Sequence, residues 1–538
     1  MELHAEETGG AGGSSESLKA KTRLILPSDN PEHWARVVEV LSNPLERLAD
    51  LDTMLTKLRA LDPDRPGQIC TFFRKIPGSA AAGTFDFEFF FAKGVNFMLE
   101  IALDMPNLFE GMQVPIFKMR SSWNGAKTLG KKSVTLTRQQ CACLLAHSFL
   151  GSLQRPWDVQ LNDFRFLVSD LFIGTAVSPN SAITFLNYFN MLAKNGIPPG
   201  SLTFDRQGFQ KGSPPWQWED NTKPLCDVDL VVGSIESSAA DTHVEFANAF
   251  VGGGVMTGDA AMEEILFLVK PELMVAMALE NRMVDEEAIC VSGALQYSHT
   301  IGYGTSLEFA GDCDRHQDGP PTKVCAIDAV RGGSNLESTS LQRDLNKARI
   351  AFEGAHQVAT GHWGCGAYGN NEDLMFLKQW MAASEAGVQK MYYHENDKKH
   401  THHIRQLHRK LHHMNVGELW NWLHSVEPYT VRAFCDSVKN ICNGGLSSAS
   451  RNAKLSTSGG YIVPAKTTER SQTMSQPPVP TVSTTTAHES QPPGSLDGQN
   501  VIYKGVEMAC ISQKAGQCRL QRADGTTTWA NKKDVTFK

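Results

Sequence analysis

The stretch VEFANAFVGGGVMTGDAAMEEILFLVK, residues 244–270, decides the fold class of this chain of 538 residues. It has the pattern of a strand that runs into three consecutive glycines and then into a helix beginning near Gly258 or Asp259. Glycine allows a sharp turn whose N–H groups stay open to a ligand, and a helix N-terminus attracts anions. The stretch therefore fits a diphosphate cradle in an α/β domain, although a purely structural glycine turn has the same pattern.

Short apolar runs alternate with helical patterns on both sides of this stretch, which predicts a layered α/β sheet. The predicted strands lie in DVDLVVGSIES, THVEFANAFVGGG, EEAICVSGAL and KVCAIDAV, and the predicted helices lie at 259–281 and 339–352. Ligands of such sheets bind at the carboxyl ends of the strands. A second glycine loop, ATGHWGCGAYGNN at 359–371, offers further N–H groups beside Trp363 and Tyr368. The alternative for this loop is an ordinary packed turn with a core tryptophan.

The rest of the chain divides by composition. We predict a disordered tail at 1–30, an all-helical accessory domain at 31–225, an α/β domain with C-terminal helices at 226–443, a disordered linker at 444–498 and a small basic β module at 499–538. The linker is rich in Ser, Thr, Pro and Gln. The segment 391–425 is predicted to be helical and carries many histidines.

Composition and charge exclude several classes of protein. Hydrophobic residues make up 41% of the chain and the formal net charge is −7, which is globular and excludes a uniformly basic nucleic-acid coat. The twelve cysteines form no CxxC pair, which favours reduced thiols in an intracellular compartment. No signal peptide and no stretch of roughly 18 apolar residues is visible, so we expect a soluble protein.

Glu263 and Glu264 are the candidates for chemistry in the opening stretch. Neighbouring helix residues point about 100° apart, so this pair cannot flank one glycosidic bond as the carboxylates of most glycosidases do. One of them can point at a reacting bond while the other holds a neighbouring hydroxyl. The alternative is a solvated helix face.

The motif resembles the signature of poly(ADP-ribose) glycohydrolases, GGG-x(6–8)-QEE, because GGG is followed here by seven residues and then by MEE. The resemblance extends over about 35–435 and includes the segments GSLTFDRQ, SGALQYSHTIGYGTS, VCAIDAV, LNKARIAF, ATGHWGCGAYG and NVGELWNWLHSV, in the family's order. It implies a macrodomain-like mixed sheet between helices, an all-helical N-terminal accessory domain and hydrolysis of ribose–ribose bonds that releases ADP-ribose. No cofactor and no metal are implied, and the expected state is a monomer in the nucleus, with the cytoplasm as a second compartment and a role in the DNA damage response.

The resemblance also implies roles for individual residues. Glu264 would be the general acid, and Glu263 would position ribose hydroxyls. The substrate-binding residues it implies are Glu236 at adenine, Asn248 near the scissile ribose, Gly252, Gly253 and Gly254 against the diphosphate and distal ribose, Tyr303 at the active-site loop, and Gly364, Cys365, Gly366, Ala367 and Tyr368 at the diphosphate.

Three positions depart from the family pattern. Met262 replaces a glutamine, Glu245 replaces an aspartate and His362 replaces an asparagine. The change at 262 removes one side-chain hydrogen bond, so we expect altered binding and retained catalysis. Tyr393 is a candidate for the family's adenine-stacking aromatic residue.

Other signals leave alternatives open. A non-catalytic ADP-ribose-binding macrodomain protein is the second hypothesis, although binding alone needs neither glutamate. A nicotinamide dehydrogenase fits poorly, because no GxGxxG follows a strand. His408 and His412 have the spacing of a metal pair, but a solvated basic helix, an attractor for the polyanionic substrate or a nuclear import signal explains them as well. The 499–538 module has seven basic and three acidic residues, a net charge of +4, which suits weak nucleic-acid or polymer contact or a soluble appendage. No membrane partner is expected.

Overall fold

The chain is described from a computed structural model. The described residues are 23–62, 73, 85–117, 131–154, 166–168, 171, 179–208, 216–313, 322–332, 338–395, 402–426, 430–442 and five strands between 500 and 537. They divide into two compact units, residues 1–458 and 459–538.

An eight-stranded mixed sheet forms the centre of the first unit, and a two-stranded hairpin lies outside it. The ten strands are β1 Lys132–Thr137, β2 Ser201–Gly208, β3 Asp227–Val232, β4 Thr242–Phe246, β5 Glu287–Ser292, β6 Ser298–Ile301, β7 Glu308–Asp312, β8 Lys323–Ile327, β9 Gln357–Thr360 and β10 Lys390–Glu395. The sheet order is β1-β2-β5-β8-β4-β9-β10-β3, and β6 pairs with β7. From β8 to β3 all neighbours are parallel, while β1, β2 and β5 add antiparallel pairs at the other side.

Eleven helices of eight or more residues are present in the described part of this unit. They are α1 Pro31–Leu41, α2 Leu48–Arg59, α3 Val95–Leu103, α4 Arg138–Leu150, α5 Pro179–Asn195, α6 Met262–Val269, α7 Ser338–Ala351, α8 Glu372–Ala386, α9 His402–Leu411, α10 Val416–His424 and α11 Val431–Cys442. Shorter turns matter near the site, namely the 3-10 turns Ile235–Ser237, Val255–Thr257, Pro271–Val275 and Gly304–Ser306. Within the described residues, no helix is both long and apolar enough to cross a membrane.

The sheet separates two hydrophobic cores, because successive side chains of a strand point to opposite faces. In β8, Val324 and Ala326 belong to the core shared with α1 to α6. Cys325 and Ile327 belong to the core shared with α7 to α11. The α/β fold with a helical N-terminal part is thereby confirmed.

The prediction that 31–225 is entirely helical is wrong at β1 and β2, which belong to the central sheet. The apolar pattern of β2 is interrupted by Asp205 and Arg206. Arg206 is fully buried, since Glu280 and Glu287 pair with it. Those partners lie more than seventy residues further along the chain, so the local sequence gives no indication that this charge is buried in a sheet.

Three smaller predictions are also corrected. Within the tail predicted at 1–30, Leu24 and Leu26 are buried and the Leu24 N–H donates to Val114 O, so residues 23–30 are packed while 1–22 lie outside the described residues. Residues 390–395 form β10 instead of a helix, because every second side chain of its first half is buried against the sheet. Finally, α6 begins at Met262, because a 3-10 turn ends at Gly258 with φ +83°.

The second unit is a five-stranded antiparallel sheet. Its strands are β11 Asn500–Tyr503, β12 Val506–Lys514, β13 Gln517–Gln521, β14 Thr527–Asn531 and β15 Val535–Phe537, in the order β14-β13-β12-β11-β15. The sequence predicted a β module here without the number of its strands. The predicted linker at 444–498 lies outside the described residues.

Candidate active site

The parallel half of the sheet brings four loops to one edge, where β3, β4, β8 and β9 all end. A cavity of about 580 Å³ opens at this edge. Its walls come from the turn after β3, from the end of β4, from α6, from the β6–β7 hairpin and from the loop after β9. The predicted position of a ligand site at the carboxyl ends of the strands is therefore where the structure has its cavity.

Glu263 and Glu264 lie in the first turn of α6 beside this cavity, and both side chains are buried. The Glu263 carboxylate accepts the N–H groups of Asn248 at 2.8 Å and Gly252 at 2.7 Å. The Glu264 carboxylate accepts those of Gly254 at 2.8 Å and Ala261 at 3.0 Å. The two carboxylates therefore clamp the glycine loop, which excludes the solvated helix face.

Gly253 lies between the two carboxylates. Its φ is +52°, a left-handed conformation that favours glycine. A Cβ atom at this position would contact Glu264 Oε1 and stand 2.7 Å from Glu263 Oε2. The close approach of the loop to both acids thus requires glycine here.

The first glycine loop does not offer the free N–H groups that its sequence predicts. The N–H groups of Gly252 and Gly254 donate to the glutamates, and that of Gly253 donates to Phe250 O. The glutamates themselves are the acceptors that make the sharp turn stable. The role of this loop in the structure is to orient the two acids.

The second glycine loop does have free N–H groups. Among the described residues no acceptor is found for the N–H groups of Gly366, Ala367 and Tyr368, which are consecutive. Gly366 and Ala367 are exposed, and Gly366 lines the cavity. Successive backbone N–H groups form an anion-binding concavity, so this loop offers more free donors to an anion than the first loop does.

Buried contacts fix the shape of this second loop. The Trp363 indole donates to Ile327 O at 3.0 Å, and the Asn370 N–H donates to Gly364 O at 3.1 Å. Gly364 has φ +71°, and a Cβ there would stand 2.6 Å from Ala329 Cβ. Burial raises the pKa of the Cys365 thiol to about 12, so this side chain is an uncharged packing group.

Sequence reasoning missed a third buried carboxyl group at the site. Glu245 lies in β4 and is fully buried. Burial raises its pKa well above the usual value, and the charges of Glu263, Glu236 and Glu264 raise it further. Its Oε1 atom has no hydrogen-bond partner among the described residues. The departure from aspartate in the family pattern drew attention to this position, but no sequence signal indicated a carboxyl group with a raised pKa.

The cavity walls contain five of the predicted or noted residues, namely Glu236, Met262, Tyr303, His362 and Gly366. Glu236 lies in the turn after β3, Tyr303 is 58% exposed on the hairpin, and Met262 is 48% exposed on α6. The Gly304 N–H donates to Ala260 O at 2.7 Å and so fixes the hairpin beside α6. Met262 therefore gives the wall a thioether where the family pattern has an amide.

Two other candidates lie elsewhere. Tyr393 is fully buried against Phe376 and does not line the cavity, whereas its neighbour His394 does. The His394 Nδ1 atom donates to Gly233 O at 3.1 Å. Tyr393 is therefore not an adenine-stacking residue in this structure.

Asn248 and the histidine-rich helix complete the set of predicted residues. The Asn248 Oδ1 atom accepts the Phe250 N–H at 3.0 Å, beside the Glu263 carboxylate. His408 packs on Trp380 with ring centroids 5.2 Å apart. Across the described ranges, no three His, Cys, Asp or Glu side chains are grouped so that they could hold a metal ion.

A mixed sheet between helical layers, with buried acids and a loop of free N–H groups at the carboxyl ends of its strands, defines a macrodomain-type protein with an attached helical domain. Two family models match the chain, "Poly (ADP-ribose) glycohydrolase, Macro domain fold" over residues 215–402 and the helical domain of the same family over residues 86–206. Together they cover more than half of the sequence. The chain belongs to the poly(ADP-ribose) glycohydrolase family.

Individual relatives agree with this family. The chain is 26% identical over 408 residues to a probable poly(ADP-ribose) glycohydrolase 2 of Arabidopsis thaliana, covering 62% of this chain and 77% of that protein. It is 32% identical over 278 residues to poly(ADP-ribose) glycohydrolase 2 of Caenorhabditis elegans, covering 47% of this chain and about half, 55%, of that protein. The solved poly(ADP-ribose) glycohydrolase of Thermomonospora curvata aligns with a TM-score of 0.25 at 15% identity, covering 33% of this chain and 73% of that one, which is too weak a likeness to support an argument.

Proposed function

We propose that this chain hydrolyses the ribose–ribose O-glycosidic bonds of poly(ADP-ribose) and releases ADP-ribose. The observation that carries the proposal is the buried pair Glu263 and Glu264, whose four oxygens clamp the loop of the family signature. A protein that only bound ADP-ribose would need no buried acid pair beside its cavity. Family membership and this geometry favour the hydrolase over the non-catalytic alternative.

Glu264 acts as the general acid. Departure of a ribose oxygen builds oxocarbenium character on the sugar and requires a proton at that oxygen. Each carboxyl oxygen of Glu264 accepts one backbone N–H and keeps a second lone pair, which can carry the proton. After the bond breaks, the same carboxylate takes a proton from the attacking water.

Glu263 holds the ribose hydroxyls next to the scissile bond. Its carboxylate is fixed by Asn248 and Gly252, so the remaining lone pairs point in a defined direction. The side-chain amide of Asn248 lies beside it and contacts the same ribose. Fixing the sugar against the acid reduces the entropic part of the barrier.

The remaining candidates bind the rest of the ADP-ribose unit. The adenosine part occupies the cavity, where Glu236 contacts the base and Tyr303 covers it. The diphosphate lies on the N–H groups of the second glycine loop, within Gly364, Cys365, Gly366, Ala367 and Tyr368. The Gly252, Gly253 and Gly254 loop packs against the distal ribose through its bare Cα surface.

Replacing the acid tests this function. Purified wild type and Glu264→Gln are incubated with defined poly(ADP-ribose), and the products are separated by chromatography. We expect wild type to release ADP-ribose and the variant to lose about 1,000-fold or more in kcat, since removal of a catalytic acid costs about 10²–10⁴-fold. Glu39→Gln, on an exposed position of α1, is the matched control.

The variant has a structural effect that the experiment must separate from catalysis. The NH₂ group of the glutamine would face one of the two backbone N–H groups from which Glu264 accepts hydrogen bonds. That N–H group would lose its acceptor, which costs about 1–3 kcal/mol of stability. Binding of ADP-ribose and thermal unfolding are therefore measured on the same samples. A folded variant that binds ADP-ribose and still cleaves at the wild-type rate would exclude Glu264 as the acid, and a wild type that binds without cleaving would establish the non-catalytic alternative.

The second unit and the cellular setting complete the proposal. The net charge of +4 at 499–538, with Tyr503 and Trp529 interleaved in the sequence, favours weak contact with the polymer or with nucleic acid. The protein acts as a monomer in the nucleus, with the cytoplasm as a second compartment, and removes polymer made in the DNA damage response. Light scattering and fractionation of cells after DNA damage test these assignments, which a stable dimer or exclusion from nuclei would contradict.

A further inference from the structure

An arginine stands beside the second glycine loop at the point where the loop after β8 meets it. The Arg331 guanidinium lies over the Tyr368 ring, 4.8 Å from its centroid. Arg331 is exposed. Asp328, its nearest acidic neighbour in the sequence, is already paired with Arg343 and Lys347. No carboxylate in the described part of the chain forms an ion pair with Arg331.

The segment that carries this arginine is attached to the glycine loop at two points. The Gly332 N–H donates to Tyr368 O at 2.7 Å, and the Asn370 side chain donates to Val330 O at 2.8 Å. The contact is so close that a Cβ on Gly332 would stand 2.6 Å from Gly369 O. Arg331 is therefore held next to the consecutive free N–H groups of residues 366–368.

Among its described lining residues, the cavity offers no lysine or arginine side chain that could pair with an anionic ligand. The carboxyl group of Glu236 lines it and those of Glu263 and Glu264 lie beside it, while burial and the charges of Asp328 and Glu263 raise the pKa of the Tyr368 phenol. A nucleoside diphosphate would bring further negative charge into this acidic surrounding. Backbone N–H groups bind phosphate oxygens but carry no net charge.

We propose that Arg331 binds the diphosphate of the substrate, as the cation that complements the free N–H groups of residues 366–368. The inference rests on the proposed function, since it assigns a binding residue to the same site. A guanidinium is planar and offers a fork of donors that matches two phosphate oxygens, whereas an ammonium group acts as a point charge. Stacking on Tyr368 orients this fork before the ligand arrives.

Arg331→Gln and Arg331→Lys in the full chain test the assignment. Calorimetric titration with ADP-ribose is compared with titration by adenosine, which lacks the diphosphate. We expect the glutamine variant to bind ADP-ribose about tenfold more weakly, the size of a lost hydrogen bond to a charged group, with adenosine affinity unchanged within about twofold. The lysine variant keeps the charge without the fork of donors, so we expect its affinity for ADP-ribose to lie between those of wild type and Arg331→Gln.

Kinetics give a second measure on the same variants. KM for the polymer should rise about tenfold in Arg331→Gln while kcat changes less than about twofold. The affinity for ADP-ribose should depend less steeply on salt in this variant than in wild type. Arg36→Gln removes a charge from α1 and is the matched control, because Arg36 is an exposed residue paired only within its own helix.

The outcomes separate this inference from the proposed function. If Arg331→Gln cleaves the polymer and binds ADP-ribose as well as wild type does, the inference is overturned and the proposed hydrolase function stands. Equal losses for adenosine and ADP-ribose would also overturn it, because they would indicate a general disturbance of the site. If wild type neither binds ADP-ribose nor cleaves the polymer, the proposed function fails, and the inference fails with it.

Discussion

At the scale of single residues, the two glutamates of α6 fix the loop beside them, and under the proposed function they also act on the substrate. Each carboxylate accepts two backbone N–H groups from the segment 248–261. The loop and the two carboxylates therefore hold each other in place. Any atom added between them should displace both.

Gly253→Ala is expected to abolish most of the activity. The added Cβ would stand 2.7 Å from Glu263 Oε2 and collide with Glu264, and a displacement of about 1 Å in a catalytic group can cost about 100-fold. The measurement is kcat on defined polymer, with far-ultraviolet circular dichroism to confirm folding. Gly387→Ala is the control, because Gly387 has φ +79° and open space around its Cβ position. That variant bears a similar backbone strain of about 1 kcal/mol and should keep its kcat, so equal losses in both variants would contradict the steric explanation.

Glu245 predicts a pH dependence of stability. Its pKa is raised well above 4.5 by burial and by neighbouring carboxylates, so the folded state binds this proton more tightly than the unfolded chain does. Stability from this group is complete below about pH 4.5 and is lost as the pH rises toward the folded pKa, at about 1.4 kcal/mol per pH unit. Glu245→Gln removes this loss, so its stability relative to wild type should increase between pH 5 and pH 8. Denaturant unfolding at both pH values measures this difference. If the free energy of unfolding of wild type instead rises relative to that of the variant between pH 5 and pH 8, the pKa of Glu245 is not raised in the folded protein.

At the scale of elements, one buried ion pair joins the helical part to the segment that follows α6. Arg138, the first residue of α4, donates to Glu272 at 2.5 Å and to Gly293 O. Glu272 also accepts the Tyr297 hydroxyl at 2.8 Å and is fully buried. The pair thus fixes the region that follows α6 to α4.

Arg138→Met should destabilise the protein by about 3–5 kcal/mol, because it leaves a buried carboxylate without its cation. Denaturant unfolding measures the loss, and kcat at low temperature should stay within about threefold of wild type. Combining it with Glu272→Gln removes the unpaired charge and should restore at least half of the lost stability. A double variant no more stable than the single one would show that packing of the arginine stem, and not its charge, is what matters.

The strands show how far a sequence predicts such elements. The strands β3, β4, β5 and β8 were predicted because each is a short apolar run bounded by turn residues, and the carboxyl ends of the parallel strands β3, β4 and β8 located the cavity. β2 was missed because its buried Arg206 is satisfied by acids distant in the chain. β10 was missed because it lies next to a histidine-rich helix and was assigned to it. Local patterns thus predict strands whose burial does not depend on a charged partner from a distant part of the chain.

The same limit applies to the site. Glu263, Glu264 and the glycine loops could be identified from sequence, whereas the hydrogen bonds that occupy the N–H groups of the first loop could not. The first loop was predicted to bind anions, yet its N–H groups are taken by the glutamates. The raised pKa of Glu245 and the contact of Arg331 with Tyr368 depend on side chains from separate elements. Such pairings become visible only when the sheet order is known.

At the scale of the whole molecule, the candidate site lies entirely within the first compact unit. The cavity, both glycine loops and the acid pair fall between residues 233 and 394. The second unit, residues 459–538, contains its own five-stranded sheet. Two units with separate sheets permit a division of work, in which one cleaves the polymer and the other adds affinity for it.

A chain that ends after α11 at Cys442 should therefore cleave a short polymer at a rate within about twofold of the full chain. Long polymer should show a difference, because a tethered basic unit raises the effective concentration of its partner and so increases overall affinity. We expect the truncated chain to have a KM for long polymer about tenfold higher at low salt, with the gap closing in high salt as the charges are screened. Equal KM values at every salt concentration would make the second unit an appendage, whereas loss of activity on short polymer would mean that residues beyond 442 complete the first unit's fold.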